Sequence, residues 1–402
     1  MTIELRPLGV LCNIQCTYCY QNPQRDAGNI RKSYDLELMK SALEEQGGPF
    51  ILFGGEPLLL PMKDLEELWA WGLERFARNG LQTNGTMIGD GHIALFKKYK
   101  VDVGISIDGP DELNDARFGG SHNATRRATA KTEAAIDRLL ANEIVPSLIV
   151  TLHRLNADGT KLHRMNEWFA ALDAKGIRVV RLHILESEND RIRKVYSLST
   201  AENIEAFLNF ARLERSLPKL RFDVFRDMRQ MLLGNDAGAT CVWTGCDPYT
   251  TQAVRGIEGF GQRSNCGRTN KDGIDFLKAD AVGFERYLAL YQTDHSVGGC
   301  RDCRFFLMCK GQCPGTAIDG DWRNRSEHCE VWKSLFSFFE NELIEAGRRP
   351  ISSQLHRREL EQRMLQAWIY GSNPTISSLM SNAERQPRAQ TSYGRISCGR
   401  PG

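Results

Sequence analysis

Three cysteines near the amino terminus, Cys12, Cys16 and Cys19, have the spacing of a metal-binding loop. Three thiolates on one short loop can hold three irons of a cubane 4Fe-4S cluster, which leaves the fourth iron open for a small molecule to chelate. A zinc knuckle is the alternative, but zinc needs a fourth ligand, and no histidine or further cysteine stands in place for it. The spacing favours an iron–sulfur cluster with one vacant corner.

A second set of cysteines lies in the C-terminal half of the chain. Its members are Cys241, Cys246, Cys266, Cys300, Cys303, Cys309, Cys313 and Cys329. Twelve cysteines in 402 residues indicate metal binding or redox chemistry. A secreted disulfide framework is the alternative, but it lacks a signal peptide and the usual short length of such domains. Residues 241–329 have few long apolar runs, so this segment needs metal to build a core.

The elements that position these cysteines follow a repeating pattern. Apolar runs at 49–54, 101–107, 145–152 and 177–185 alternate with helical periodicity at 64–74, 130–142 and 161–175. This alternation predicts parallel βα units whose loops gather at one rim, where the functional site is expected. Further helices are predicted at 201–213, after the capping box Ser199-x-x-Glu202, and at 330–346 and 358–370.

Glycine-rich and polar segments stand at the ends of the strands. They are Gly54-Gly55-Glu56-Pro57, Thr83-Asn84-Gly85-Thr86 and Ser106-Ile107-Asp108-Gly109-Pro110. Each alone is an ordinary turn. In this order, after a C-x3-C-x2-C loop with Tyr18 before its third cysteine, they resemble the radical S-adenosylmethionine (SAM) superfamily.

The resemblance implies roles for residues around SAM. The Gly54-Gly55-Glu56-Pro57 turn is expected to take the amino group, with Glu56 offering its carboxylate. Asn84, Ser106 and Asp108 match segments in which Ser and Asp lie near the ribose and carboxylate of SAM. Arg117 is the candidate for the carboxylate, one position earlier than the family pattern, with a solvated charge as the alternative. Leu185 is expected to contact adenine through its backbone, with plain core as the alternative.

The second cysteine set resembles the SPASM extension of peptide- and protein-modifying radical SAM enzymes. By that analogy one auxiliary 4Fe-4S cluster takes Cys241, Cys246, Cys266 and Cys313, and another takes Cys300, Cys303, Cys309 and Cys329. The expected cofactors are therefore three 4Fe-4S clusters and SAM, and only Cys398 is left over. Full ligation favours an electron-transfer or structural role for the auxiliary clusters. Two zinc sites in the same positions are the alternative.

The resemblance also implies the fold and the domains. We expect an α/β chain with a partial (β/α)6 TIM-like barrel at 1–235 and the cysteine-rich SPASM domain at 236–335. C-terminal helices and a mobile tail are expected at 336–402, the tail from residue 373 onwards.

For function, the family implies a maturase that generates a 5'-deoxyadenosyl radical and abstracts hydrogen from a ribosomally made precursor peptide. The outcome would be a C–C or thioether crosslink, backbone excision or epimerisation. One alternative is a sulfatase-maturating enzyme, which makes formylglycine and carries an acidic residue after the third auxiliary cysteine; here Gly267 follows Cys266. The other is a non-catalytic iron–sulfur or zinc protein. No catalytic or substrate-contacting residue is assigned. His183, Glu186, Asp247 and Tyr249 are candidates to face the cavity, with a structural or solvated role as the alternative.

Partners follow from the same reading. We expect an external electron donor of flavodoxin or ferredoxin type. With the first cluster cysteine at residue 12, a separate leader-docking protein or the C-terminal region is expected to bind the precursor's leader. A formal net charge of +2 without a long basic run argues against nucleic acid. The absence of a long apolar stretch and of a signal sequence predicts a cytoplasmic protein without a membrane span.

Overall fold

The computed structural model describes residues 3–28, 30, 32–187, 189–251, 254–269 and 282–385. The strands in these residues form one sheet. They are β1 Ile3–Arg6, β2 Phe50–Leu52, β3 Asn79–Thr83, β4 Val101–Ser106, β5 Ser147–Leu152, β6 Val179–Ile184, β7 Arg221–Phe222, β8 Arg255–Glu258 and β9 Arg263–Ser264. Their order in the sheet is β7-β6-β5-β4-β3-β2-β1-β8-β9.

Helices connect and cover the strands. In chain order they are α1 Asn22–Asp26, α2 Leu36–Gln46, α3 Met62–Phe76, α4 Asp90–Lys98, α5 His122–Ala141, α6 Leu162–Lys175, α7 Asp190–Tyr196, α8 Thr200–Glu214, α9 Asp223–Leu232, α10 Glu285–Gln292, α11 Phe306–Cys309, α12 Cys329–Glu345, α13 Arg357–Ile369 and α14 Ile376–Arg385.

Strands β1 to β6 are parallel and stand side by side in sequence order. Helices α2 to α6 provide the crossovers, so the carboxyl ends of all six strands lie at one rim. This confirms the predicted α/β fold class. The predicted strands and helices are present within a few residues, except that α5 begins at His122 rather than 130, because Ser121 caps it by accepting from the Ala124 amide (3.2 Å).

Alternation along the strands separates the core from the site. Apolar side chains such as Leu5, Leu52, Leu81 and Ile105 are fully buried in the hydrophobic core. Their neighbours in the strands line a cavity; examples are Glu4, Gln82, Ser106 and Arg181. Because successive side chains of a strand point to opposite faces, the polar set faces the interior of the barrel.

The cysteine-rich segment continues the barrel sheet. Strand β8 pairs parallel with β1, and β9 returns antiparallel to β8. Helix α12 crosses the expected boundary at 335/336 and packs on α8 and α9 through Trp332 against Phe207 (ring centroids 5.7 Å apart) and Phe339 against Phe225 (5.4 Å). The division at 235 and 335 stays a proposal.

The expected mobile tail from residue 373 is partly wrong. Residues Ile376–Arg385 form helix α14, and the Ile376 side chain is fully buried. Its backbone amide donates to the carboxylate of Asp236 (2.8 and 2.9 Å), which fastens this segment to the chain after α9. Cys398 lies outside the described residues.

In the described part of the chain, none of the helices combines the length and apolar character that a membrane crossing requires.

Candidate active site

The first cysteine loop lies between the ends of β1 and β4. Cys12, Cys16 and Cys19 are free thiols and each is partly buried. The loop is tied to the segment after β4, because the Gln15 amide donates to the Phe118 carbonyl (2.7 Å) and the Thr17 amide to the Ala116 carbonyl (2.8 Å). The three thiols are therefore held at the carboxyl rim of the sheet.

The glycine turn after β2 sets the entry to this loop. The Gly55 amide donates to the Gly9 carbonyl (3.0 Å) and the Glu56 amide to the Leu11 carbonyl (2.8 Å). A Cβ on Gly54 would overlap the Gly9 carbonyl, and one on Gly55 would overlap the carbonyl of Leu11. Gly54 also has a φ of +114°. Both glycines are needed because the turn lies directly against the chain that leads into Cys12.

Glu56 has a different setting from the expected one. Its side chain is 1% exposed, and its carboxylate accepts from Thr83 Oγ1 (2.8 Å) and from the amides of Leu58 (3.0 Å) and Asn84 (2.8 Å). Burial raises the pKa of this carboxyl, while the two backbone amides and Thr83 oppose the rise. Glu56 and Pro57 hold strand ends together and lie outside the cavity lining, so the ammonium role of Glu56 stays a prediction.

Asn84 and Ser106 do line the cavity, together with Gly54 and Gly55. Asn84 Nδ2 donates to Asn13 Oδ1 (2.8 Å) and lies 3.8 Å from Cys12 Sγ. Ser106 Oγ accepts from Gln82 Nε2 (2.9 Å). The polar ends of β3 and β4 thus lie beside the first cysteine of the loop.

Below the loop is a buried polar cluster. The Tyr18 hydroxyl donates to Asp108, whose carboxylate also accepts from the Thr151 amide (3.0 Å) and lies 3.4 Å from His153 Nε2. Arg117 Nη1 donates to the Tyr18 oxygen (3.4 Å). Burial would raise the pKa of Asp108, but His153 and Arg117 outweigh it and lower that pKa. Asp108 is fully buried outside the cavity, whereas Arg117 lines it.

Leu185 packs with Tyr18 and Ala116 in a small apolar cluster of its own. It is 3% exposed, and its amide donates to the Leu152 carbonyl (3.2 Å). The side chain does not line the cavity, and the amide is already bonded. The expected adenine contact of Leu185 stays a prediction.

A cavity of about 310 Å³, which we call the chamber, joins two sets of cysteines. Its walls include the loop thiols Cys12, Cys16 and Cys19 and also Cys241, Cys246, Cys266 and Cys313. The remaining thiols, Cys300, Cys303, Cys309 and Cys329, surround a separate, smaller cavity beside Arg325 and Lys333. The structure therefore groups the C-terminal cysteines into two sets of four.

Burial keeps auxiliary thiols such as Cys266 and Cys309 protonated until a metal binds. Burial raises the pKa of Cys266 and of Cys309 well above the usual thiol value, and neighbouring thiols raise both further. Release of the protons therefore requires the positive charge of a bound metal.

The spacing of the thiols fits clusters better than single ions. Four thiolates about 2.3 Å from one zinc lie about 3.8 Å apart in a tetrahedron. Among the described residues, His295, Cys329 and Glu330 form the group of three possible ligands whose donor atoms lie within 4.8 Å of one another. This group contains a single cysteine. In the described residues no three thiols lie within 4.8 Å of one another, so the cysteine sets leave room for a polynuclear cluster.

Sequence reasoning missed several charged groups of the chamber, Arg268 and Glu4 among them. Arg268, two residues after Cys266, donates to His183 Nδ1 (2.8 Å) and pairs with Glu186 (3.0 Å). Glu4 of β1 also lines the chamber. His183 and Glu186 face the chamber, which is one of the two alternatives that the sequence left open. Asp247 and Tyr249 do not face the chamber. Asp247 is fully buried and accepts a hydrogen bond from the Tyr249 amide (2.8 Å), and the Tyr249 ring packs at a tilt against Trp322 (ring centroids 4.9 Å apart).

The fold and the site together define an α/β protein with three free thiols on one loop at the rim of a parallel sheet. Comparison with known proteins identifies the class, because residues 7–164 match the model of the radical SAM superfamily. Residues 7–164 therefore carry a radical SAM domain, which implies a 4Fe-4S cluster and SAM, and the resemblance seen in the cysteine motifs is confirmed.

Similar proteins narrow the relationship. A serine-type anaerobic sulfatase-maturating enzyme of Klebsiella aerogenes is 30% identical over 224 residues, 51% of this chain and 52% of that protein. The chain thus spans about half the length of that relative. The structure of native anSMEcpe with bound AdoMet and Cp18Cys peptide has a TM-score of 0.67 at 19% identity, covering 86% and 98% of the two chains. Streptococcus suis SuiB bound to precursor peptide SuiA has a TM-score of 0.51 at 12% identity, covering 82% and 75%.

Proposed function

We propose that this chain is a radical SAM peptide maturase that acts on a ribosomally made precursor peptide. One observation carries the proposal: the three-cysteine loop and the set Cys241, Cys246, Cys266 and Cys313 open into the same chamber. When bound, the cluster and SAM supply a 5'-deoxyadenosyl radical able to take hydrogen from an unactivated carbon. A substrate in this chamber lies between that chemistry and a second metal set.

The residues around the loop have separate tasks in this proposal. Arg117 offers its guanidinium to the carboxylate of SAM, because it is half-buried and faces the chamber beside the loop. The Gly54–Gly55 turn brings backbone next to the loop, where an ammonium can be bound. Tyr18 and Asp108 hold Arg117 in place from below.

A peptide substrate is supported by similar structures. AnSMEcpe was solved with a bound peptide and SuiB with its precursor peptide. We extend this to a precursor peptide for the present chain, with a crosslink, an excision or an epimerisation as the outcome. A separate leader-docking protein and a flavodoxin- or ferredoxin-type electron donor complete the proposal.

We assign three 4Fe-4S clusters: one at the loop, one at the chamber set and one at Cys300, Cys303, Cys309 and Cys329. The two auxiliary sets each offer four thiolates, which leaves no open iron for substrate. An electron-transfer or structural role for both follows.

Sulfatase maturation is the second candidate, because the relatives carry that name. The chamber argues against it. In sulfatase-maturating enzymes an acidic residue follows the third auxiliary cysteine, whereas here a Cβ on Gly267 would lie 2.8 Å from the Tyr20 ring and 3.7 Å from Gln21 Nε2. An acidic residue at this position would therefore require the Tyr20 ring to shift.

Two assays test these functions. Anaerobic incubation of the reconstituted protein with SAM and dithionite should yield 5'-deoxyadenosine, and its absence from a fully loaded sample would favour a non-catalytic metal protein. Mass spectrometry of precursor peptides encoded beside the gene, run in parallel with a sulfatase peptide containing the target Cys or Ser, then separates the two enzymes. Modification of the precursor alone supports the maturase, and conversion of the sulfatase peptide alone overturns it.

A further inference from the structure

One carboxylate of the chamber has an oxygen without a hydrogen-bond partner. Glu4 is on β1, its side chain is 18% exposed, and its Oε2 is buried with no hydrogen bond from the described residues. A buried ionised oxygen without a partner is costly, so such an atom in a ligand cavity indicates a group that arrives with the ligand.

The neighbouring cations are already engaged. Arg6 lies 4.0 Å from Glu4, but its Nε pairs with Glu258 (2.9 Å) and its Nη2 donates to Ser264 and to the Asn265 carbonyl (2.6 Å). Arg268 is held by Glu186 and His183. The nearest Arg6 atom, Nη1, lies 4.0 Å from Glu4 Oε2, too far for a hydrogen bond, and a closer approach would pull Nε and Nη2 away from Glu258, Ser264 and Asn265. Arg268 would have to leave Glu186 and His183.

The other acids of the chamber are also paired. Asp223 binds Arg181 (2.6 Å), and Glu186 binds Arg268 (3.0 Å). Among the acids that line the described chamber, Glu4 is therefore the one whose carboxylate is still open to a donor. Burial raises the pKa of Glu4, a direction that the approach of a cation would reverse.

We propose that Glu4 anchors a basic side chain of the peptide substrate, a lysine or an arginine, inside the chamber. This rests on the proposed function, since it names the class of peptide that the chamber takes. A long basic side chain suits the position, because its apolar stem passes along the chamber while its charged end reaches a carboxylate on the wall of the barrel. The charge-assisted hydrogen bond then satisfies Glu4 Oε2.

A binding selection tests the proposal. The reconstituted full chain with SAM is immobilised anaerobically and challenged with a random peptide library displayed on mRNA. We expect lysine or arginine to be enriched about tenfold over alanine at one position, the change that one charged hydrogen bond confers. Glu4→Gln should abolish this enrichment, whereas Glu37→Gln, which removes the same charge from a side chain 80% exposed on α2, should keep it.

Other outcomes decide against the proposal. An unchanged profile for Glu4→Gln with wild-type iron content, or enrichment of acidic residues, overturns it. If Glu4→Gln fails to fold, Glu4→Asp replaces it: the shorter carboxylate should keep the basic preference and shift it towards arginine, and an unshifted profile counts against the site. Formation of 5'-deoxyadenosine without peptide is measured separately on the wild-type protein. If none forms but the preference for basic residues is retained, the proposed function is refuted and the binding site at Glu4 still stands.

Discussion

The hydroxyl of Tyr18 donates a hydrogen bond to the carboxylate of Asp108 and joins the cysteine loop to the segment after β4. The same oxygen accepts from Arg117 (3.4 Å), which lines the chamber. A single phenol therefore controls the position of the loop and of the guanidinium proposed to hold SAM. Burial, followed by the negative charge of Asp108, raises the pKa of Tyr18 well above the usual phenol value, so the hydroxyl remains a donor.

Tyr18→Phe should weaken SAM binding more than it weakens the fold. The ring stays against His153 (centroids 5.5 Å apart), while Asp108 loses a donor and Arg117 an acceptor. We expect a free energy of unfolding lower by about 1–2 kcal/mol and a several-fold higher KM for SAM in the deoxyadenosine assay. Tyr99→Phe, which removes a hydroxyl bonded to Glu66 away from the chamber, is the control. An unchanged KM would contradict the role of Tyr18.

Gly55→Ala should displace the cysteine loop. The added Cβ overlaps the Leu11 carbonyl, which is backbone and cannot rotate away. We expect a loss of about 1–3 kcal/mol in the free energy of unfolding, together with loss of the iron bound at the loop. The measurements are thermal unfolding and iron content. Gly238→Ala is the control, because no atom lies within 4 Å of its added Cβ. Equal behaviour of the two variants would show that the close approach does not matter.

Local patterns predicted part of this site. The cysteine loop, the Gly54–Gly55 turn and the polar strand ends are each short local motifs, so their order along the chain is enough to place them at one rim. Arg268 and Glu4 could not be found in that way, because they face the same chamber only when β1 and the segment after β9 are placed around it. Strand β3, Asn79–Thr83, was missed because its Asn and Gly are poor strand formers and its place is set by pairing with β2 and β4. Helix α14 was missed because Ser- and Asn-rich sequence resembles a tail until Ile376 is seen packed in the core.

Acid sensitivity should depend on His183. Arg268 can only donate, so His183 Nδ1 accepts and the ring is neutral. Burial, then the charges of Arg268 and Arg181, lower the pKa of His183 well below its ordinary value of about 6.5. Below pH 6.5 the unfolded chain takes up a proton that the folded chain refuses, so stability falls as pH falls.

The variant His183→Gln isolates this effect, because its amide oxygen still accepts from Arg268. Between pH 7.5 and 5.5 we expect the variant to lose about 1 kcal/mol less stability than the wild type. Thermal unfolding of the cluster-loaded proteins at both pH values gives the comparison. Identical losses would show that the pKa of His183 is the same in the folded and the unfolded chain.

Cysteine pairs should reveal which thiols share a cluster. With three 4Fe-4S clusters the chain binds about twelve irons, and loss of one cluster leaves about eight. We expect Cys246→Ser and Cys313→Ser to give the same loss singly and together, because both line the chamber. Cys313→Ser with Cys309→Ser should lose both auxiliary clusters, since Cys309 lies in the second cavity. Cys398→Ser is the control and should retain all the iron; additive losses for the first pair would contradict the grouping.

Gly267→Asp tests whether the chamber can be given the acidic residue of the sulfatase-maturating enzymes. The new Cβ would lie 2.8 Å from the Tyr20 ring, in a wall that is already packed. We expect about 1–3 kcal/mol of lost stability and no formylglycine from a sulfatase peptide. Tyr20→Ala makes room, so Gly267→Asp should cost less stability when it is added to Tyr20→Ala than when it is added to the wild type. Full stability of Gly267→Asp, together with oxidation of the cysteine in the sulfatase peptide, would contradict this prediction. The packing of Tyr20 would then not explain why this chain lacks that activity.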